Sequence, residues 1–269
     1  MSSKIITAVK YIFLSLAFII SVFPLIWMVI AATNKSVDVI AGKLTFGTHL
    51  LENYNNLIAQ QPLWSSFWNS CKYSVLVTVF ALLVSSMAGY AFEIYKDKGK
   101  NIVYGIVLMT MMVPFVALMI PLFQMYSSVG LLNKAIGFVL PSVATPLLIM
   151  MFRTGAKAFP IDIIEASRLD GLNEFQIFFR MYMPTMRSTY AAAAVVTFMN
   201  AWNNYLWAKV IMSDSSTQTM PMLISNLISG YVTDYGILML AVLITTIPTA
   251  IVFLALQKNF VEGITGAVK

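Results

Sequence analysis

Five charged side chains, Glu165, Arg168, Asp170, Glu174 and Arg180, share the stretch EASRLDGLNEFQIFFRMYMP (165–184) with Phe175, Ile177, Phe178 and Phe179. Charge around an apolar face suits docking into a groove on another protein. A second set, Thr197, Asn200, Asn204 and Trp207, falls at helical spacing, with Asn203 beside it. Amides in an apolar setting are costly unless they meet partners or water. They suit ligand hydroxyls, and an aromatic ring suits an apolar ligand face. Conventional catalysis has no comparable set. His49 is the only histidine and Cys71 the only cysteine, so no intrachain disulfide and no cysteine metal cluster is expected. Neither a G-x-x-x-x-G-K-[ST] loop nor an H-E-x-x-H pair occurs. The expectation is a chain that is not an enzyme and holds no metal or cofactor of its own.

The elements that must carry these residues are membrane spans. Of 269 residues, 59% are hydrophobic and only 10% charged, against about 25% charged in a soluble domain. A spanning helix needs ~20 mostly apolar residues. Six runs qualify, at about 11–32, 72–95, 102–126, 135–153, 186–210 and 235–257. No acidic residue or histidine lies in the uncharged stretches 11–34, 73–92, 101–133, 135–152, 188–208 and 235–257 that make them up, so an intramembrane hydrolase or a proton relay has no evident residues. The fold class is therefore all-α: a polytopic membrane protein with six transmembrane helices in a single domain, 1–269. The first run is too long for a signal-peptide core and lacks a convincing cleavage site, so it reads as an uncleaved span.

The net charge of +6 reports topology. Lys4, Lys10, Lys96, Lys98, Lys100, Arg153, Lys157, Arg168, Arg180, Arg187, Lys258 and Lys269 all fall on one side of a six-span chain, 12 of the 17 basic residues. The positive-inside rule then puts both termini in the cytoplasm. No nucleic-acid partner is implied.

Prolines 114, 121, 141 and 146 interrupt spans three and four. They are either static kinks or broken helices that shape a pathway, since breaks survive in a bilayer only where other helices or a water cavity satisfy the freed carbonyls. Ser85, Ser86, Ala88 and Gly89 on span two suit close helix packing. The region 160–184 encodes a helix, a glycine turn and a second helix. Pro160 suits a first turn, and Asp162 and Glu165 favour its positive end. Gly171 suits a left-handed closure. Asn173 and Gln176 form a capping box. Phe175, Phe178, Phe179 and Tyr182 recur as one face of the second helix. That unit either packs under its own bundle or docks on another protein. On span five, Asn200 lies ~20 Å above Arg187 at 1.5 Å per residue. There the amides and Trp202, Tyr205 and Trp207 are either ligand contacts or interhelix glue and an interfacial belt. Leu63, Trp64, Phe67 and Trp68 likewise suit a membrane–water boundary, and 213–235 reads as an outer loop with a short re-entrant helix.

The stretch 165–184 resembles the signature of permease subunits of ATP-binding-cassette importers, E-A-A, three residues, G, nine residues, I-x-L-P. Here it reads Glu165-Ala166-Ser167, Gly171 and Met181-Tyr182-Met183-Pro184, with spacing intact and Ser167, Met181 and Met183 as small departures. Asp170 before the glycine also fits. The resemblance implies a cytoplasmic coupling helix between helices 4 and 5 that docks on a separate ATPase subunit. It involves Glu165, Ala166, Ser167, Asp170, Gly171, Phe175, Met181 and Pro184, with Glu165 as the charged contact and Gly171 as the turn. Asn69-Ser70, Asn200 through Trp207, Thr219-Met220-Pro221 and the tail Phe260 to Lys269 are similar to the carbohydrate branch, more narrowly to the maltose-type permeases and their multiple-sugar relatives.

That branch implies a permease subunit of an ATP-driven, binding-protein-dependent sugar importer in the bacterial cytoplasmic membrane. It implies a heterodimer with a second permease subunit, two ATPase subunits that hold ATP and Mg, and an extracytoplasmic solute-binding protein. Asn200, Asn203, Asn204 and Trp207 would line the substrate pathway. Thr219, Pro221 and Asn226 would lie in the loop toward the binding protein. The resemblance leaves open which permease holds the substrate, and whether that substrate is a neutral sugar, a polyol, glycerol phosphate or an acidic oligosaccharide. An ion-coupled secondary transporter is the rival from outside the family.

Overall fold

Every regular element of the computed structural model is helical. It describes residues 2–95, 97–230 and 232–266. Lys96 and the tail residues Ala267, Val268 and Lys269, on which expectations of topology and resemblance partly rest, lie outside the described residues. In chain order the helices are α1 (Ser2–Ala32), α2 (Ser36–Ile40), α3 (Leu50–Gln60), α4 (Leu63–Ile94), α5 (Lys100–Met109), α6 (Phe115–Ser128), α7 (Ala135–Val139) and α8 (Pro146–Ala156). They continue with α9 (Ile161–Leu169), α10 (Glu174–Ile177), α11 (Met183–Thr185), α12 (Arg187–Trp202), α13 (Tyr205–Ile211), α14 (Met220–Ile228) and α15 (Tyr235–Gly266).

Three helices are long and apolar enough to cross a bilayer: Ile5–Ala32, Leu63–Ile94 and Tyr235–Lys258. Two bent pairs raise the number to five if each is one span. The pair Lys100–Met112 and Phe115–Ser128 turns through 98°, and the pair Ala135–Ser142 and Pro146–Ala156 through 51°. Prolines sit at both breaks. Pro114 caps α6 with ψ 127, and Pro146 opens α8. A proline has no backbone N–H and biases the residue before it toward extended geometry. Val113 and Thr145 are extended accordingly, at ψ 117 and ψ 120. Pro121, by contrast, stays inside α6.

The fifth run departs from a continuous span over 186–210. It splits at Asn203–Asn204 into α12 and α13, because the Asn204 side chain takes the backbone N–H of Trp207 at 3.2 Å and starts a new helix. The second run begins earlier than 72. Leu63, Trp64, Phe67 and Trp68 are already helical, with Leu63 buried and Trp64 and Trp68 exposed.

The chain divides into two compact units. One comprises the chain up to Trp64 and Met222–Ile247. Here α1 is exposed along nearly its whole apolar length, and its end is tied by amides. Asn34 Nδ2 donates to the carbonyls of Ile30 and Thr45, each at 2.9 Å, and Asn53 Nδ2 to those of Ala32 and Asn34. Asp234 caps α15 by accepting from Gly236 and Ile237, which satisfies two of the donors a helix start leaves bare.

The other unit runs Ser65–Pro221 and resumes at Pro248. Its core joins α4, α8 and α12 through Ala81, Leu148, Phe152 and Ala193. The close approach expected from the small residues of α4 occurs at Gly89. A Cβ there would lie 2.6 Å from Phe152 Cβ and 2.7 Å from the Arg153 nitrogen. Just beyond, Arg153 donates to Glu93 at 3.2 Å and to Asn101 at 2.8 Å, and lies 4.0 Å from the Tyr104 ring centroid. One cation therefore joins the ends of α4, α5 and α8.

Opposite effects are expected at two helical glycines. Gly89→Ala forces α8 away from α4 and is expected to destabilise by about 1–3 kcal/mol. Gly105 in α5 has nothing within 4 Å of an added Cβ. Gly105→Ala is therefore expected to be neutral or stabilising by about 0.5–1 kcal/mol. Thermal unfolding of the purified protein in detergent checks the signs: Tm falls for the first and holds or rises for the second.

Candidate functional site

The segment 160–184 folds as the sequence predicts, with one difference. Pro160 (φ −66, ψ 120) stands just before α9 as its cap. After Asp170 the chain turns at Gly171, whose φ is +84. The Gly171 N–H donates to the Arg168 carbonyl and the Leu172 N–H to that of Ser167, at 3.1 and 3.0 Å. This is the paired closure of a Schellman turn, and Leu172 packs on the core beneath it. Nothing lies within 4 Å of a Cβ built on Gly171, so its backbone conformation, not crowding, calls for glycine. Asn173 then accepts from the Gln176 N–H and its own N–H donates to the Gln176 side chain, both at 2.9 Å. That is the expected capping box.

The difference lies in the aromatic face. Phe178 and Tyr182 are buried, whereas Phe175 and Phe179 are exposed at 66% and 43%. A π-helical turn, Phe178–Tyr182, follows α10. A turn that closes i→i+5 is wider than an α turn. Four-residue partners stay aligned in it, and the three-residue step from Phe179 to Tyr182 falls on another side. One expected stripe becomes two. The inner pair joins Tyr90, Ala156, Phe159, Ile164, Ile177 and Met186 in one cluster. The Tyr182 ring lies 4.8 Å from that of Tyr90 and 5.6 Å from that of Phe159. The outer pair is exposed, as are Leu169, Glu165, Ala166, Asp170 and Pro184.

Two of the candidate coupling residues turn inward. Ser167 is buried and donates to the Ile163 carbonyl at 2.6 Å, and Met181 is half-buried against the aromatic cluster. Ser167 is thus turned inward with its hydroxyl bonded inside α9, and Met181 helps pack the segment on its base.

Glu174 is the residue whose role the sequence did not reveal. Its Oε1 accepts from Arg168 Nε and its Oε2 from Tyr95 Oη, both at 2.8 Å. The Arg168 hydrogen bond holds the Glu174 carboxyl below its ordinary value against the opposing effect of burial, and the Tyr95 hydroxyl adds to it. The same hydrogen bond raises Arg168. A six-residue separation across a glycine turn is no helical spacing, and Tyr95 lies 79 residues away in sequence. No local pattern could pair them.

A cavity of about 470 Å³ lies elsewhere in the same unit. Its polar lining is Ser142, Thr145, Thr197, Asn200 and Asn204, and no ionisable side chain lines it. Phe115, Pro146 and Asn204, from the three helix breaks, all meet it. Thr197 already donates to the Ala193 carbonyl, and Asn204 caps α13. Asn200 is exposed and its side chain makes no hydrogen bond among the described residues, so its amide is available. Asn203 closes α12, donating to the Met199 carbonyl, and does not line the cavity.

Trp207 departs from the expected face. It is fully buried, edge-on to Phe115 and Tyr126 at 5.8 and 5.5 Å. Trp202 is buried against Phe198 and Phe67. Neither ring is placed as an interfacial belt expects: Trp202 is enclosed by its ring neighbours, and the break at Asn203–Asn204 ends the register that would have aligned Trp207 with Asn200. In the outer-loop set, Thr219 is buried in this unit, and Pro221 is half-buried. Asn226, half-buried in α14, belongs to the other unit.

Comparison with known proteins fits this architecture. The family described as "Binding-protein-dependent transport system inner membrane component" matches residues 81–266. A lactose transport system permease protein, LacG, from Rhizobium radiobacter is 48% identical over 97% of this chain and 96% of its own length. An arabinooligosaccharides transport system permease protein, AraQ, from Halalkalibacterium halodurans is 34% identical over 93% of this chain and 92% of its own. The fold matches that of a bacterial ABC transporter involved in the import of the acidic polysaccharide alginate. The TM-score is 0.83 at 22% identity, over 97% of this chain and 98% of the other. The chain therefore belongs to the inner-membrane components of binding-protein-dependent transport systems: it is a multi-pass permease subunit of an ABC importer and not an enzyme.

Proposed function

We propose that this chain forms one half of the translocation pathway of an ATP-driven importer for neutral sugars. The observation that carries the substrate class is the 48% identity with a lactose permease across nearly the whole of both chains. The cavity supports it. Hydroxyl and amide groups among apolar side chains suit a polyhydroxylated ligand, and the lining has no cation to pair with a carboxylate or phosphate. On this reading Asn200 offers its amide to sugar hydroxyls and Asn204 shapes the wall. Asn203 and Trp207 act through the helix break beside it.

The proposed single domain, 1–269, crosses the membrane six times, through α1, α4, the α5–α6 pair, the α7–α8 pair, α12–α13 and α15. Both termini lie in the cytoplasm, as the distribution of Lys and Arg supports. The other half of the pathway is a second permease subunit. Two ATPase subunits carry ATP and Mg, and an extracytoplasmic binding protein delivers the sugar near the segment of Thr219, Pro221 and Asn226. The exposed Glu165, Ala166, Asp170, Gly171, Phe175 and Pro184 meet the ATPase, while Ser167 faces inward behind them and Met181 packs the segment on its base. ATP-driven closure of the ATPase pair then swings the helices around the cavity between outward and inward states.

Affinity purification from the native host in mild detergent tests the assembly. The wild type is expected to bring a second permease and an ATPase, and Gly171→Arg to lose the ATPase. A chain that comes alone, or an ATPase that stays on the variant, contradicts the reading. Uptake of labelled lactose and arabino-oligosaccharide, with glycerol phosphate as competitor, tests the substrate. Asn200→Ala is expected to lower sugar uptake about tenfold at limiting sugar, the loss of one hydrogen bond worth ~1–2 kcal/mol. Glycerol phosphate is expected not to compete. Undiminished uptake by the variant removes Asn200 from the pathway, and competition by the phosphate removes the neutral-sugar assignment.

A further inference from the structure

We propose that Glu174 is a positioning residue that transmits motion of the segment 160–184 to α4, through its paired hydrogen bonds to Arg168 and Tyr95. The inference rests on the reading that this segment engages an ATPase. Arg168 lies before the glycine turn and Glu174 after it, so one carboxylate oxygen clamps the two limbs of the turn at 2.8 Å. The other oxygen takes the Tyr95 hydroxyl at 2.8 Å. Tyr95 directly follows α4, and its N–H donates to the Ala91 carbonyl, which extends the α4 ladder to the contact. A single ionised carboxylate thus ties both limbs of the coupling unit to the end of one unbroken helix.

That helix leads to the cavity. Val77 of α4 lines the cavity, and ~1.5 Å per residue puts it about 27 Å along the helix from Tyr95. The aromatic contacts below the segment hold it down but leave its register soft, because burial is not directional. Tyr90 meets Phe178 and Tyr182 edge-on or tilted, at 5.5 and 4.8 Å. Charge-assisted hydrogen bonds are directional and about twice as strong as neutral ones. Glu174 supplies them at the joint and fixes which turn of the segment moves with α4.

The test uses the intact transporter, with both permeases, the ATPases and the binding protein, in proteoliposomes. Glu174→Gln, Tyr95→Phe and the double variant are compared with the wild type. The probe is labelled lactose, or arabino-oligosaccharide if the wild type takes that up instead. The readouts are sugar taken up per ATP hydrolysed and the amount of ATPase that co-purifies. The ATPase is expected to remain at the wild-type ratio in every variant, while sugar per ATP falls about 3- to 10-fold in each single variant. The double variant is expected to be no worse than the worse single one, because the two changes break a shared contact. Tyr95→Phe removes one hydroxyl from an exposed position and keeps the comparison readable if Glu174→Gln folds poorly. Wild-type sugar per ATP in the single variants overturns the proposal, as does a double loss equal to the product of the single ones. Loss of the ATPase from Glu174→Gln makes the residue a docking contact and also overturns it. Retention of the ATPase by Gly171→Arg is a separate failure, of the docking reading itself.

Discussion

In hydrocarbon every backbone N–H and C=O needs an internal partner. That constraint makes the chain helical throughout its described elements, and it gives meaning to the places where helices stop. Three breaks, at Val113–Pro114, at Val143–Thr145 and at Asn203–Asn204, leave backbone groups without their usual partners. Such breaks are tolerated where other protein or a wet cavity takes the freed groups. Residues from all three meet one cavity, with side-chain hydroxyls and amides around it. The breaks and the cavity are two aspects of one solution, in which the irregular backbone of these three breaks faces a space with polar lining.

The segment 160–184 solves a different problem. It is attached to the bundle by its buried aromatics and exposes Leu169, Phe175 and Phe179 beside charged side chains. The Schellman turn at Gly171 and the capping box at Asn173 fix the joint by bonds within the segment, with Leu172 packed on the core beneath. The π turn divides the aromatics between two faces, so Phe178 and Tyr182 anchor the unit and Phe175 and Phe179 remain outside. An ordinary α turn would have put all four on one side, leaving either the base or the outer face without aromatic side chains.

Much of this was legible from residue types because it rests on local chemistry. Gly171 and the Asn173–Gln176 pair declare their geometry within four residues, and Pro114 and Pro146 mark their breaks by a missing donor. The rest depends on what no short window contains. The break at Asn203–Asn204 has no proline or glycine to announce it. It exists because an asparagine side chain outcompetes the helix for a backbone N–H. Helical spacing carried past that break puts Trp207 on the face of Asn200, where the structure does not. The π turn defeats the same spacing at Tyr182. Glu174 was visible as a charge but not as a junction, since Tyr95 reaches it only through the tertiary fold.

The account stands on the outer face of α9 and α10 being the surface that an ATPase covers. Cysteine labelling measures this directly. In a Cys71→Ser background, Ala166→Cys and, as a control, Lys43→Cys are exposed to a maleimide in detergent, with and without the ATPase subunits. The account predicts that Ala166→Cys reacts readily in the permease alone and is shielded in the complex, while Lys43→Cys reacts equally in both. Equal reactivity of Ala166→Cys in the two states would contradict it.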